Sequence, residues 1–231
     1  MKVLFFCLML FSSSLLAQTG LPQIEPIISL AIPINDFAEA DTTERAFFGL
    51  GAEATFPFLD DTPLRWGASF RYYWMGKESR NVDVNNGSGD IYKLTSDVRG
   101  RMSPLHLHLR LDPMNYTDFP VLPYVGGFAG IRFFGTNNKI TFDYRDGSEP
   151  TIDNNRKVTV TSSYGFEAGL HIRVSDYLSL DFRYERAYGG WAKYLDFGSI
   201  KIDSQGNATY SLLETRTDVE MFTIGLTVEL D

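Results

Sequence analysis

The residues of this chain best suited to do chemistry are three histidines: His106 and His108, two apart, and His171. Imidazoles at i and i+2 share one side of a β-strand, where they could ligate a zinc ion or act as general bases. Their neighbours point elsewhere. Arg110 continues the alternation after His108, and Arg173 stands two residues beyond His171, so a cation would meet guanidinium groups at both places. Histidines paired with Glu or Asp are the simpler account, and no metal site is expected. Asp83-Val84-Asn85-Asn86-Gly87-Ser88-Gly89-Asp90 resembles a calcium loop, but Gly87 occupies the fifth ligand position and no Glu stands at the twelfth. It reads as a loop tip. No cofactor motif is present. A formal charge of -8 argues against nucleic acid as a partner, because binding phosphate backbones needs a basic face.

The elements that must position these residues come in two kinds. Met1-Lys2, the apolar run Val3 to Leu16, and Ala17-Gln18 form a secretory signal peptide with cleavage expected after Ala17, leaving residues 18–231 as one domain. Cys7, the only cysteine, lies inside that run, so it suits neither lipid attachment nor a disulfide of the mature chain. Cleavage leaves 20 basic and 29 acidic residues, a formal charge of -9. Hydrophobic residues at 44% and aromatics at 14% exclude a disordered chain. No later stretch is long and apolar enough for a transmembrane helix.

Beyond residue 20 the apolar pattern has period two, which is a strand with unlike faces. In Leu105-His106-Leu107-His108-Leu109-Arg110-Leu111 the leucines take one face and the His and Arg the other. Phe166, Ala168, Leu170 and Ile172 oppose Glu167, Gly169, His171 and Arg173, and Leu178, Leu180, Phe182 and Tyr184 oppose Ser179, Asp181, Arg183 and Glu185. Eight such runs lie near 24–34, 45–57, 64–75, 100–111, 122–135, 161–174, 177–188 and 217–230. In the fifth, Arg132 shares a face with Tyr124 and Phe128, which must then point inward with it. Connections after the second, fourth and sixth runs are short, with Ser175-Asp176 as a two-residue hairpin. Those after the third, fifth and seventh span about 25 residues, and the first is intermediate. This predicts an all-β, eight-stranded antiparallel up-and-down barrel with tight turns at one end and long loops at the other.

Volume decides which face looks inward. Trp66, Phe70, Tyr72, Trp74, Phe166, Phe182, Tyr184 and Phe222 would overfill so narrow a bore, whereas the opposite face intersperses its charges with Gly49, Gly51, Gly67, Gly165, Gly169 and Gly225. The apolar face therefore meets lipid, and a soluble carrier with the faces inverted is the weaker reading. Phe56, Trp66 and Tyr177 by the short turns, and Phe48, Trp74, Tyr164 and Tyr188 by the long loops, form two interfacial girdles. The lumen then holds Glu53, Arg65, Arg71, His106, His108, Arg110, Arg132, Glu167, His171, Arg173, Asp181, Arg183, Glu185 and Glu229. Buried charges persist when paired, so these residues are expected to form a salt-bridged plug that closes the bore.

The signal peptide, the eight runs, the alternating turn lengths and the closing Phe222-Thr223-Ile224-Gly225-Leu226-Thr227-Val228-Glu229-Leu230 together resemble the small outer-membrane barrels of the OmpA transmembrane-domain and OmpX type. The resemblance spans the mature chain and is one of pattern. It implies a bacterial outer-membrane location, insertion by the outer-membrane assembly machinery, and a surround of outer-membrane lipids and lipopolysaccharide. Asp231 stands where that family carries a terminal aromatic, and no periplasmic peptidoglycan-binding domain is expected. Ile140, Phe142 and Tyr144, and the segments Ser199–Ile202 and Ala208–Leu212, look like hairpins prolonging the strands, similar to the protruding sheet of OmpX-type barrels. Such a sheet edge could bind an extracellular protein by strand addition. Some barrels that resemble this one act on lipid A through His, Ser and an acid, but His106 and His108 point to the lumen and lack a His-x-Ser step on the lipid face. The function expected is structural or adhesive, for a monomer and not an enzyme; the alternatives are a narrow porin and a lipid-A-modifying enzyme. The large loops balance their charges, so strong capture of a charged ligand by them is not indicated.

Overall fold

A computed structural model describes residues 21–39, 46–59, 62–85, 91–114, 119–143, 151–195, 199, 201–202, 208–209 and 211–230. Residues 1–17, expected to be a signal peptide, the glycine-rich tip at 86–90 and Tyr144 lie outside them. Eight strands close into one barrel: β1 (Gln23–Pro33), β2 (Phe47–Pro57), β3 (Leu64–Asn85), β4 (Ile91–Leu111), β5 (Val121–Asp143), β6 (Thr151–Ser175), β7 (Leu178–Gly189) and β12 (Val219–Glu229). Each pairs antiparallel with its neighbours, and β1 shuts the barrel against β12, with Ile28 opposite Ile224. All backbone donors in the wall can thus be satisfied without a free edge, which is what a strand structure in lipid requires.

The strands are longer than the eight alternating runs. β3 and β4 stay paired from Leu64↔Leu111 to Asn85↔Ile91, and β5 joins them as far as Asp143 opposite Lys93. The four central strands therefore rise past their neighbours as a sheet, because β2 leaves β3 at Phe48↔Trp74 and β7 leaves β6 at Ser163↔Gly189. The connection between β7 and β12 folds separately, as a hairpin of β8 (Trp191–Leu195) with β11 (Leu212–Arg216) and a short pair of β9 (Lys201–Ile202) with β10 (Ala208–Thr209). The β6–β7 turn is one residue later than expected: Ser175 pairs with Leu178, and Asp176-Tyr177 make the bend.

Period-two alternation carries through the wall. Leu107 is 60% exposed and Leu109 48%, while His106 and His108 between and beside them are 1% and 4% exposed. On β5, Tyr124, Phe128 and Arg132 are all buried and Val125 and Ile131 exposed, so Arg132 shares the inner face with two aromatics. The largest fully buried side chains are Arg71 and Arg132. No helix among the described residues is long and apolar enough to cross a membrane; the crossing is made by strands.

Candidate functional site

The barrel interior is stacked in three layers, each placed by inward-facing positions of the strands. At the centre Arg183 (β7) is the hub. Its Nη2 donates to both oxygens of Glu25 at 2.9 Å and to Asp181 Oδ2 at 2.7 Å, its Nη1 to Glu53 Oε2 at 2.6 Å, and its Nε to the Tyr124 hydroxyl at 2.7 Å. Arg110 lies 2.5 Å from Glu53 Oε1 and grips Glu167 through Nε and Nη2 at 2.5 and 3.0 Å. One step nearer the long loops, Arg71 holds Glu185 with two bonds of 2.7 and 2.5 Å. Five carboxylates thus face three arginines, and His108 and His171 lie against the surplus: His108 Nδ1 is 3.1 Å from Glu167, and His171 is 3.2 Å from Asp112 and 3.7 Å from Asp181. Fixed geometry of this kind is what lets charges stay out of water.

Glycines make the room. A methyl built on Gly51 would stand 2.7 Å from Arg71 Cγ, and one on Gly225 would fall 2.6 Å from the Glu25 carboxyl carbon. Long charged side chains can cross so narrow a bore only where the facing wall carries no side chain.

The layer at the short-turn end is polar. Gln23 donates to Glu229 at 2.9 Å, Arg65 to the Leu21 carbonyl at 3.0 Å, and Arg173 to the Met114 carbonyl at 2.6 Å. Asp112, directly after β4, is buried, accepts from the Met114 amide at 3.0 Å and faces His171.

The layer at the long-loop end is an apolar lid that the sequence does not reveal. After β1 the chain enters a single helical turn, α1 (Asp36–Glu39), and drives Phe37 into the mouth with 0% exposure. Its ring meets Phe47 at 6.0 Å, Phe134 at 5.9 Å and Tyr194 at 5.7 Å, the last two edge-on, the geometry aromatic quadrupoles favour. Asn35, at φ 54°, turns the chain inward and donates to Asp218 Oδ2 at 3.0 Å, while the other oxygen of Asp218 accepts from the Gly189 amide at 2.9 Å. An Asn tolerates the left-handed conformation that this turn needs. Beneath the lid, Arg132 donates to the Thr217 carbonyl and, at 2.9 Å, to Ser163, which also lies 3.0 Å from His106.

The outer wall is its inverse. Ile24, Ile28, Leu30, Leu50, Phe70, Leu105, Leu107, Leu109, Phe166, Leu170, Phe182, Phe222 and Ile224 are all exposed, a continuous apolar belt that no soluble monomer would leave to water. Its edges carry cross-strand aromatic pairs: Phe48–Trp74, stacked, and Tyr164–Tyr188, tilted, toward the long loops at 6.0 and 5.6 Å, and Phe56–Trp66, stacked, toward the short turns at 5.1 Å, with Tyr177 exposed in the β6–β7 turn. A closed barrel, apolar outside, charged inside and belted by aromatics, can only sit in a bilayer. This is a transmembrane β-barrel of eight antiparallel strands. No protein-family model and no curated protein matches the chain. Among solved structures it is similar to the Neisserial surface protein A, at 16% identity over 90% of this chain and 96% of that one with a TM-score of 0.43. It is also similar to a major outer membrane protein from Thermus thermophilus (13%, 90% and 99%, 0.46) and to OprG from Pseudomonas aeruginosa (14%, 92% and 97%, 0.46).

One arrangement in the barrel has the form of a hydrolytic triad. Ser69 Oγ lies 2.7 Å from His108 Nε2, and His108 Nδ1 lies 3.1 Å from Glu167. Nucleophile, base and orienting acid are in the right order, but all three are buried, at 2%, 4% and 1% exposure. Glu167 is also committed to Arg110. A substrate carbonyl would have to displace the ion-pair layer to reach Ser69. Among the described residues no group of three or more His, Cys, Asp or Glu is arranged to hold a metal ion. His106 is stacked on Phe128 at 4.6 Å and His171 on Tyr124 at 4.6 Å.

Proposed function

We propose that this chain is a non-conducting outer-membrane barrel whose work is structural and interactive, done through the sheet and hairpin above the membrane, with the fourteen sequence-assigned lumenal residues serving as its plug. The observation that carries the reading is the hub at Arg183, where one guanidinium bridges carboxylates from β1, β2 and β7 and leaves the central bore filled by side chains. Above it lies the Phe37 lid and below it the Gln23–Glu229 and Arg173–Met114 contacts, so that three layers stand in series across any passage. The triad-like Ser69–His108–Glu167 chain belongs to this packing, and the barrel works without catalysis. Export by cleavage after Ala17 and a monomeric state in the membrane complete the proposal. Single-channel recording of the purified barrel in planar bilayers tests it. The expected trace stays at baseline; a reproducible conductance step of one size would overturn the plug and make the narrow-porin alternative the working model.

A further inference from the structure

Just above the aromatic belt, the outer wall of β3, β4 and β5 holds a groove of about 560 Å³. Its depth in the bilayer follows from the register. Trp74, stacked on Phe48, marks the upper edge of the hydrocarbon. Arg101 is the partner of Trp74, and Lys77 is the partner of Arg99 one step higher. At about 3.3 Å per residue, these basic groups stand within roughly 10 Å of the Trp74 level, inside the headgroup layer. Local backbone puts them there. The bulge between Trp74 and Lys77, with Gly76 at φ 100°, turns Lys77 outward where plain alternation would have sent it into the bore. Gly135 forms the floor under Arg101, for a methyl on it would stand 2.9 Å from Arg101 Cγ.

Among the described side chains the charge on this wall is mainly positive. Lys77 meets Asp97 at 3.0 Å, and Ser79 donates to the same carboxyl group at 2.5 Å. Arg99 and Arg101 make no ion pair among the described residues, and Lys139, across from Asp97, is exposed. Among the described side chains of this wall Lys77, Arg99, Arg101 and Lys139 therefore outnumber the single acid Asp97, and the first three line the groove beside Tyr72 and Trp74. Planar guanidinium forks at headgroup depth match the oxygens of a phosphate ester, and the aromatic wall below them matches the acyl chains attached to it. A soluble anion would gain nothing from that lower wall.

We infer that this groove is a site for the phosphate ester of a membrane lipid, with Arg99 and Arg101 on the phosphate and Tyr72 and Trp74 against the chains. The site rests on the membrane-barrel reading, since it exists only if Trp74 lies at the interface. Native mass spectrometry of the full barrel released from detergent micelles tests it, with dioleoylphosphatidic acid as probe against dioleoylglycerol and against inorganic phosphate. The native protein should retain the phosphatidic acid and neither of the others. Replacing both arginines in R99Q/R101Q should weaken retention about thirtyfold, at the usual contribution of each basic group near a charged membrane surface. G135V, which crowds the stem of Arg101 without removing charge, should weaken it as well, and K193Q on the separate β8–β11 hairpin should not. Native affinity in R99Q/R101Q, equal retention of dioleoylglycerol, or inorganic phosphate held as tightly as the lipid would each overturn the site. A heat-dependent gel shift is recorded on every sample. Its presence with unchanged lipid retention removes the site and keeps the barrel, whereas its absence in the native protein removes both.

Discussion

Replacing Arg183 by Leu removes the hub of the lumen while keeping much of its volume, and the structure allows the cost to be reasoned. Glu53 would keep Arg110 at 2.5 Å, but Glu25 would lose both of its bonds, and Asp181 would retain only the Tyr124 hydroxyl at 2.7 Å and the more distant His171. At least one carboxylate would then be buried without a cation. Breaking a buried ion pair from one side costs about 3–5 kcal/mol, so R183L should lower the stability of the barrel by that order. Urea titration in lipid vesicles, followed by tryptophan emission and by the gel shift of unheated samples, reads it as a lower midpoint at unchanged slope. The same reasoning makes a second claim. Once Arg183 is gone, the charge of Glu25 is the liability, so R183L/E25L should be more stable than R183L alone, with a coupling of at least about 1 kcal/mol between the two sites. A loss below about 1 kcal/mol in R183L, or costs that simply add, would show that water reaches these carboxylates and that the lumen is not sealed.

The lid and the buried serine supply two more expectations. F37A empties a cage of three aromatic rings and should cost about 3 kcal/mol or slightly more in the same urea titration, yet leave planar bilayers silent, because the Arg71–Glu185 pair and the Arg183 hub lie beneath it. Current in F37A would mean that the lid alone closes the barrel. A fluorophosphonate probe should fail to label Ser69 in the folded protein, since the hydroxyl is enclosed with His108 and Glu167; labelling that disappears in S69A would turn the triad geometry into an active site.

The wall was legible in the sequence because lipid and lumen impose opposite demands on alternate residues, and a period of two survives even where single positions are ambiguous. Glu25 shows where that signal thins. It alternates with Ile24 and Pro26, but Ile27 and Ala31 also point inward, so β1 reads as nearly continuous apolar sequence and hides its one charged inner residue. Phe37 was beyond reach for another reason: a single helical turn leaves no periodicity, and its burial is decided by Phe47, Phe134 and Tyr194, which are remote along the chain or on other elements. The basic groove defeats summation. Charges totalled along residues 76–99 cancel, whereas the bulge at Gly76 sorts Lys77 onto the outer wall with Arg99 and Arg101. Asp112 leaves no local signal either, because the residue it faces, His171, lies on another strand.

Alternation leaves one ambiguity that only the lumenal pairs resolve. Sliding β12 past β7 by one residue would carry Phe222 inward and Thr223 into lipid, and hydrophobicity forbids it. A slide of two preserves every face and costs the belt little. What it destroys is specific contact: Glu25 would lose its seat over Gly225, Ser29 its bond to Thr223 at 3.1 Å, and Met221 its contact with the Tyr73 hydroxyl at 3.3 Å. On this argument polar pairing in the lumen selects register more than it adds stability, and the two are separable at Arg71–Glu185. Substituting both residues in R71M/E185M removes the ion pair and its desolvation cost together, so the urea midpoint should move by no more than about 1–2 kcal/mol in either direction. Register should loosen. Outward-facing cysteines at Leu226 and Leu180, which are partners in the native pairing, should cross-link almost completely in the parent barrel, and a second pair at Ile224 and Leu180, two residues out of register, should not. In R71M/E185M the second pair should begin to cross-link while the midpoint holds. If the midpoint collapses and the register stays fixed, the ion pair holds the barrel together and does not choose its alignment.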